Sequence, residues 1–258
     1  MTSVFVAKAF RAGVVWLVAA MPFARATDHS HAGLTDVLRA VVSAGAVDYR
    51  ALRTEPAALD RYLDRLASVT AGEFDGWAVS DRLAFLINLY NAATLRLIVD
   101  HYPVKSIRSI GLLPGSAWKR DAVRLFGRNV SLDHVEHEII RKQYRDARVH
   151  FALVCAAKGC PPLRAEAYVG SRLNEQLDEQ GRAFIGTPAK NRVDVAARTL
   201  HLSPIFKWFA GDFEAAAGSV PAFIAAFLPD ELQQAVRAGG FTVTYTEYDW
   251  SLNDWSRP

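Results

Sequence analysis

The sequence predicts a single α+β domain, rich in helices and carrying a small, mostly antiparallel sheet. Apolar residues recur at helical spacing over several long segments, whereas the segments that alternate in hydropathy are short. Turns that contain glycine or asparagine separate the short segments, as in β-hairpins. Long helices mixed with short antiparallel strands are typical of the α+β class.

The first 26 residues are predicted to be a secretory signal peptide. Lys8 and Arg11 provide a positive charge, residues 12–21 form an apolar run, and Ala24–Ala26 provides a small-residue cleavage site before Thr27. A membrane-spanning helix needs about 20 apolar residues, and this run is shorter. An uncleaved anchor or a buried N-terminal helix is the alternative. The predicted location is the periplasm or the extracellular medium.

Removal of the signal changes the net charge. The whole chain has 30 Lys and Arg against 27 Asp and Glu, and three of the basic residues, Lys8, Arg11 and Arg25, lie in the signal. Residues 27–258 therefore carry 27 of each, so composition gives no support for a nucleic-acid partner. No later segment is expected to span a membrane.

Three helices are predicted in the first half of the mature chain. They cover Leu34–Val42, Leu59–Leu66 and Asp81–His101, where apolar residues recur at helical spacing. Ser80 is the expected N-cap of the third helix, and Pro103 follows its end. The third helix is apolar on most faces, which indicates burial.

The predicted elements continue through a hairpin over 122–130, a helix from a Ser131 cap to Tyr144, and a buried strand at Val149–Val154. The remaining elements are a helix over 173–184, a hairpin of 192–195 with 199–202, a short helix opened by Ser203-Pro204, helices over 221–227 and 230–237, and a strand over 241–248.

Both cysteines lie directly after the predicted strand, at Cys155 and Cys160. In an oxidising compartment they could form a disulfide; the alternatives are a reactive thiolate or inert buried thiols. His150 precedes Cys155 by five residues on that strand, so their side chains are expected on opposite faces. His150 is therefore either a hydrogen-bonded core residue or a site residue that does not contact the thiol directly.

A histidine-rich segment on the 131–144 helix offers a candidate base. His134 and His137 share a helix face, and Glu136 lies more to the side. The segment could provide a base with an orienting carboxylate, a partial metal site or only a polar face. It matches neither the H-E-x-x-H nor the H-x-x-E-H zinc-binding pattern.

Asn88 and Asn91 interrupt the most apolar helix. A buried amide without hydrogen bonds costs about 1–3 kcal/mol, so they should fasten a neighbouring loop or point into a site. The aromatic and polar segment 249–254 is expected to dock on the domain.

Six segments in order resemble the domain-of-unknown-function 547 family. They are Phe85–Ala92, Leu132–His137, Val149–Cys155, Gly159–Leu163, Leu202–Trp208 and Tyr248–Asn253.

The resemblance implies that Glu136, His137, His150 and Cys155 occupy family motifs. Leu86 departs from it, because the family usually has an aromatic residue in that motif. Cys160 is a less dependable part of the family motif than Cys155. The resemblance therefore favours Cys155 acting alone over a structural disulfide.

The first functional hypothesis is a cysteine-nucleophile hydrolase or acyl transferase. Cys155 would attack an acyl carbon, His137 would act as base, Glu136 or Asn91 would orient the base, and loop amides near Gly159 would stabilise an oxyanion. The arrangement would resemble papain or transglutaminase. Because the order Asn, His, Cys differs from papain's, it would have to be circularly permuted.

The alternative is a non-catalytic periplasmic module that binds a ligand or a protein, with Trp208 and Trp250 lining a groove. A third reading is a redox-active Cys155–Cys160 pair. No cofactor and no metal are expected. The partner is an unidentified small molecule, peptide or protein.

Overall fold

A computed structural model describes residues 27–113 and 115–255. The predicted signal peptide, residues 1–26, lies outside the described residues.

The chain forms twelve α-helical segments within the described residues, several of a single turn. They are α1 (Ala32–Val41), α2 (Tyr49–Thr54), α3 (Ala57–Ala67), α4 (Ala71–Asp75), α5 (Val79–His101), α6 (Arg141–Tyr144), α7 (Val149–Ala152), α8 (Leu173–Ile185), α9 (Ile205–Trp208), α10 (Ala210–Ala217), α11 (Val220–Ala225) and α12 (Asp230–Arg237). A π-helical segment, His134–Ile140, runs into α6, and two 3₁₀ turns occupy Ile107–Ser109 and Gly170–Arg172. The fold is α+β, as the sequence predicts.

The strands are short and form three separate sheets. They are β1 (Val42–Ser43), β2 (Ala46–Val47), β3 (Val123–Leu125), β4 (Arg128–Val130), β5 (Arg192–Asp194), β6 (Thr199–Leu202) and β7 (Thr242–Tyr245). The pairs β1–β2, β3–β4 and β5–β6 are antiparallel, whereas β7 adds to β6 in parallel, with Leu200 opposite Val243. The permuted papain-like arrangement stays a prediction.

The centre of the larger core is α5. Every residue from Leu83 to Leu95 is buried, the two asparagines included, and α3, α2 and the π-helical segment pack around the helix. The helix begins at Val79, so the prediction of Ser80 as N-cap is wrong; Ala78 takes that position and caps with no side chain. By length and composition α5 could cross a bilayer, contrary to the expectation for the mature chain, but most of its apolar surface is buried within this domain.

The prediction of a strand at Val149–Val154 is wrong, because Val149–Ala152 forms the single helical turn α7. This turn lies between two apolar clusters. Val149 and Ala152 pack in the α5 cluster, while Phe151 packs among Phe184, Phe206 and Phe213 in a second cluster. Val149 and Ala152, three residues apart, thus share one cluster while Phe151 faces the other, which is helical spacing; a strand would place Val149 and Phe151 on the same face.

Two buried asparagines on α5 hold neighbouring backbone. Asn88 exchanges two hydrogen bonds with Tyr168, donating to its carbonyl oxygen at 2.7 Å and accepting from its amide at 2.9 Å. Asn91 donates to the Ala152 carbonyl oxygen at 2.9 Å and accepts from the Val154 amide at 3.0 Å. Each side-chain amide thus replaces a missing strand neighbour for an extended segment.

The C-terminal segment docks through Asn253, which is buried. Its backbone amide donates to the Ala156 carbonyl oxygen and its carbonyl accepts from the Val47 amide. Its side chain accepts from the Tyr49 hydroxyl at 2.9 Å and donates to the Gly45 carbonyl oxygen at 3.3 Å. The tail therefore joins the β1–β2 turn to the cysteine-bearing loop.

His31 is buried at the start of α1, where its Nδ1 lies 2.8 Å from the Tyr62 hydroxyl. Burial lowers the pKa of His31 to about 4, against the opposing charge of Asp28. The folded protein therefore resists protonation at a position where the unfolded chain accepts a proton near the ordinary value of 6.5.

We expect His31 to make the fold acid-sensitive. Between pH 6.5 and about 4 the unfolded chain takes up a proton that folded His31 refuses. The free energy of unfolding should fall across this window by up to about 3 kcal/mol, and this loss should be absent above it. His31→Asn should flatten the pH dependence in urea titrations, whereas His134→Asn, at an exposed position, should not. Equal pH slopes for wild type and His31→Asn would contradict this expectation.

Asn91→Ala should lower the free energy of unfolding by about 2–4 kcal/mol, because it leaves a buried carbonyl and a buried amide unpaired. Urea denaturation measures the change. The control is Asn174→Ala, which removes an exposed hydrogen bond to Arg148 and should cost less than about 1 kcal/mol. Similar losses in the two variants would show that the Asn91 contacts contribute no more than a surface hydrogen bond.

Candidate functional site

A cavity of about 220 Å³ opens above the two cysteines. Its walls come from α5, the π-helical segment, α7, α9 and the C-terminal segment. The lining residues are Tyr90, Trp118, Asp133, Glu136, His137, His150, Leu153, Cys155, Cys160, Ile205, Trp208, Phe209, Tyr248 and Trp250. Four of the five predicted site residues line it, and Asn91 does not.

The π-helical segment brings Glu136 and His137 to the cavity together. The Arg141 amide donates to the Glu136 carbonyl oxygen, five residues back, so the turn is wider than an α-helical one. His134, expected on the same face as His137, is instead exposed, and Glu136 is buried. The face assignment was wrong because it assumed α-helical spacing. Within the described residues no three His, Cys, Asp or Glu side chains are grouped as metal ligands would be.

The two cysteine sulfurs are in contact. Their Sγ atoms are 2.7 Å apart, both thiols are free, and the Cys155 amide donates to Cys160 Sγ at 2.9 Å. The Tyr248 hydroxyl lies 3.2 Å from Cys155 Sγ. Cys160 is buried, whereas Cys155 is partly exposed towards the cavity.

Contact between the thiols shifts their pKa values in opposite directions. The hydrogen bond to Cys160 and then burial hold the pKa of Cys155 well above its ordinary value. Burial acts to raise the pKa of Cys160, but donation from the Cys155 thiol, the Cys155 amide and Tyr248 outweighs it and lowers that pKa. The pair therefore gives up its first proton readily and keeps the second, with the negative charge on Cys160.

Two more groups surround the sulfur pair. Burial and the charge on the cysteines hold the pKa of Tyr248 far above its ordinary value, so the hydroxyl stays protonated and can donate. Lys190 Nζ donates to the Cys160 carbonyl oxygen, and burial lowers the pKa of this ammonium group. Sequence reasoning placed Tyr248 at the end of the last strand and in a segment that resembles the family, but gave it no role in the site, and nothing singled out Lys190.

The loop amides near Gly159 are already hydrogen-bonded, which corrects the expectation of an oxyanion hole there. Gly159 donates to the Asp249 carbonyl oxygen and Lys158 donates to that of Ser251, each at 2.8 Å. Glycine lets the tail approach closely, because a Cβ at 159 would lie 3.0 Å from both the Asp249 amide nitrogen and the Tyr248 ring. The loop therefore uses its amides to bind the tail.

His150 belongs to a charged network. Its ring is buried and stacks on Phe209, with the ring centroids 3.9 Å apart, and its Nε2 lies 2.7 Å from Asp212 Oδ2. Arg141 binds both oxygens of Asp212, at 2.7 and 3.0 Å. Donation from His150 and Arg141 outweighs burial and lowers the pKa of Asp212. Since an ionised carboxylate only accepts, Nε2 of His150 donates to Asp212.

The prediction that His150 and Cys155 lie on opposite faces is wrong, because it assumed a strand at Val149–Val154. Both residues line the cavity. Asp212 lies 62 residues after His150 in the chain, and no sequence pattern marked it as a partner.

His137 is held by Arg141 rather than by Glu136. Its Nδ1 lies 3.1 Å from Arg141 Nη1 and accepts from it, since guanidinium only donates. The other nitrogen, Nε2, is 3.9 Å from Asp133 Oδ1. Within the described residues Cys155 Sγ contacts Cys160 and Tyr248, and its hydrogen bonds include none to a histidine.

Glu136 bonds to a residue that sequence reasoning treated as core. The Tyr90 hydroxyl donates to Glu136 Oε2 at 2.9 Å. Glu136 and Asn91 were both expected to orient the base, yet Glu136 pairs with Tyr90 and Asn91 fastens α7. Asn91 acts on the site by fixing the backbone just before Cys155.

Comparison with curated proteins and with solved structures finds no match to this chain. A family model described as "Protein of unknown function, DUF547" matches residues 74–185. That range contains α5, the π-helical segment, α7 and both cysteines. The resemblances at Leu202–Trp208 and Tyr248–Asn253 fall outside the match and stay predictions. Residues 74–185 of this chain therefore belong to the DUF547 family.

Proposed function

We propose that this chain is a cysteine-nucleophile hydrolase or acyl transferase whose reaction centre is the Cys155–Cys160 pair. The observation that carries the proposal is the contact between the two sulfurs at a cavity, where one proton is lost easily and the second is retained. A dithiol in which one thiol is made more acidic by its contact with the other supplies a thiolate without a histidine partner.

In this proposal the accessible sulfur, Cys155, attacks. Its proton passes to the Cys160 thiolate across the 2.7 Å contact, and the Cys155 thiolate adds to the acyl carbon of the substrate. The Tyr248 hydroxyl, beside Cys155, donates to the oxyanion in place of the engaged loop amides. The leaving group takes a proton from the Cys160 thiol or from an imidazole in the wall. Water or a second nucleophile then releases the acyl group from the thioester.

This mechanism replaces the roles first expected for His137 and Asn91. The Cys160 sulfur takes the part of the base, and Asn91 positions the nucleophile through the backbone at Ala152 and Val154. His137 and His150 remain candidates for proton transfer to the leaving group, since both line the cavity.

The second candidate function is a non-catalytic binding module, and the aromatic wall favours it. Trp208, Tyr248 and Trp250 pack on one another, with ring centroids 4.6–5.7 Å apart, and Trp208 is 47% exposed. A module of this kind would keep its function in Cys155→Ser and lose it on changes at Trp208. The enzyme would lose its function in Cys155→Ser.

We also propose that the protein is exported to the periplasm or secreted, supported by the charge, apolar run and small-residue site of residues 1–26. Intact-mass measurement of protein recovered from the periplasm should give a chain that begins at Thr27. Ala26→Asp should block cleavage and retain the full chain, because signal processing requires a small residue there. Full-length wild-type protein in the cytoplasm would contradict export.

We expect Cys155 to be more reactive with its partner than without it. Iodoacetamide should label Cys155 at pH 7 about tenfold faster in wild type than in Cys160→Ser, since serine at 160 does not ionise and leaves no thiolate to take the proton of Cys155. A rate against pH, with the labelled residue mapped by mass spectrometry, measures the effect. Urea-unfolded protein supplies the rate of an ordinary thiol.

The same variants test acyl transfer. With p-nitrophenyl acetate, wild type should accumulate an acetyl group on residue 155 and Cys155→Ser should not. Equal labelling rates in wild type and Cys160→Ser would contradict activation by the pair. Protein isolated with a Cys155–Cys160 disulfide that resists mild reductant would contradict the nucleophile altogether.

A further inference from the structure

The carboxylates around the cavity are not equally matched by positive groups. Asp212 is neutralised by Arg141 and by the donated proton of His150. Asp133 has the His137 ring 3.9 Å away. Glu136 has only the neutral hydroxyl of Tyr90. Within the described residues no lysine, arginine or histidine nitrogen comes within ion-pair distance of Glu136.

Glu136 is 9% exposed, so its charge is largely removed from water. Arg141 is near enough for Glu136 to contribute to raising the pKa of the guanidinium, but its hydrogen bonds go first to Asp212, the larger cause of that shift. A buried carboxylate without a paired cation is costly, and a cation that enters the cavity would offset that cost. The remaining oxygen of Glu136, Oε1, is available to such a group.

The rest of the wall suits a cation as well. Trp118, Trp208, Tyr248 and Trp250 present aromatic rings, whose faces attract positive charge. Two aromatic rings of the cavity already lie beside a guanidinium group. Arg108 lies 5.0 Å from the centroid of the Trp250 ring. Arg141 lies at the same distance from Phe209.

We propose that this cavity binds an alkylammonium group of the substrate, held between Glu136 and the aromatic rings of Trp208 and Tyr248. The sulfur pair lines the same cavity, so the ammonium group would anchor a substrate whose reacting carbon lies at Cys155. The inference rests on the proposed use of this cavity as the substrate site, and it specifies the charge of the substrate.

Titration with n-butylammonium, followed by tryptophan fluorescence and by calorimetry, tests the proposal against the uncharged n-butanol. The cation should bind about tenfold more tightly than the alcohol, since only the cation gains from the carboxylate and the ring faces. Glu136→Gln keeps an acceptor for Tyr90 and removes the charge. It should reduce this preference to about twofold, since the ring faces alone then favour the cation, while leaving n-butanol binding unchanged.

The matched control is Glu138→Gln, two residues along the same segment, where the exposed carboxylate already pairs with Lys142 at 2.5 Å. It should keep the full preference for the cation. Trp208→Leu, at an exposed ring whose loss leaves the core intact, should weaken n-butylammonium binding about fivefold.

Equal binding of the cation and the alcohol to wild type would overturn the proposal, as would an undiminished preference in Glu136→Gln. The double variant Cys155→Ser/Cys160→Ser separates this inference from the proposed reaction. Retained cation preference in that variant supports the binding site even if acetyl transfer is never observed. Loss of the preference would show that the thiolate, and not Glu136, attracts the cation.

Discussion

The buried hydrogen bonds of Asn91 fix the part of the molecule on which the candidate site depends. One side-chain amide in the middle of α5 satisfies both the carbonyl of Ala152 and the amide of Val154, on either side of the point where helix α7 becomes extended chain. A polar group at this depth is tolerated only when fully paired. The pairing therefore sets where Cys155 leaves the core.

The turn α7 couples this constraint to both apolar clusters. Val149 and Ala152 pack towards α5 and Phe151 packs into the phenylalanine-rich cluster, which leaves His150 as the residue directed to the cavity wall. A shift of α7 would move a core side chain in each cluster, so both cores oppose it. His150 and Cys155 consequently hold fixed positions at one cavity although neither contacts the other.

The C-terminal segment completes the site from the opposite side. Asn253 ties it to the β1–β2 turn and to Ala156, and the Gly159 amide binds Asp249. This docking places the Tyr248 hydroxyl next to the sulfurs and Trp250 in the wall. The backbone amides of Lys158 and Gly159 donate to the C-terminal segment and so do not point into the cavity as oxyanion donors. The same segment places the Tyr248 hydroxyl beside Cys155 as another hydrogen-bond donor.

The sequence by itself determined the α+β class, the main helices, the hairpins and the segment in which both thiols lie, because these follow from hydropathy spacing and turn residues. It also located the family motifs around Asn91, Glu136 and Cys155. It could not supply the π-helical widening at His134–Ile140, since that depends on how the segment packs on α5. It mistook α7 for a strand because a short apolar run fits either element, and only packing between two cores selects the helix. The partners Asp212, Tyr90 and Tyr248 come from distant segments, and hydrogen bonds over such separations exist only once the chain is folded.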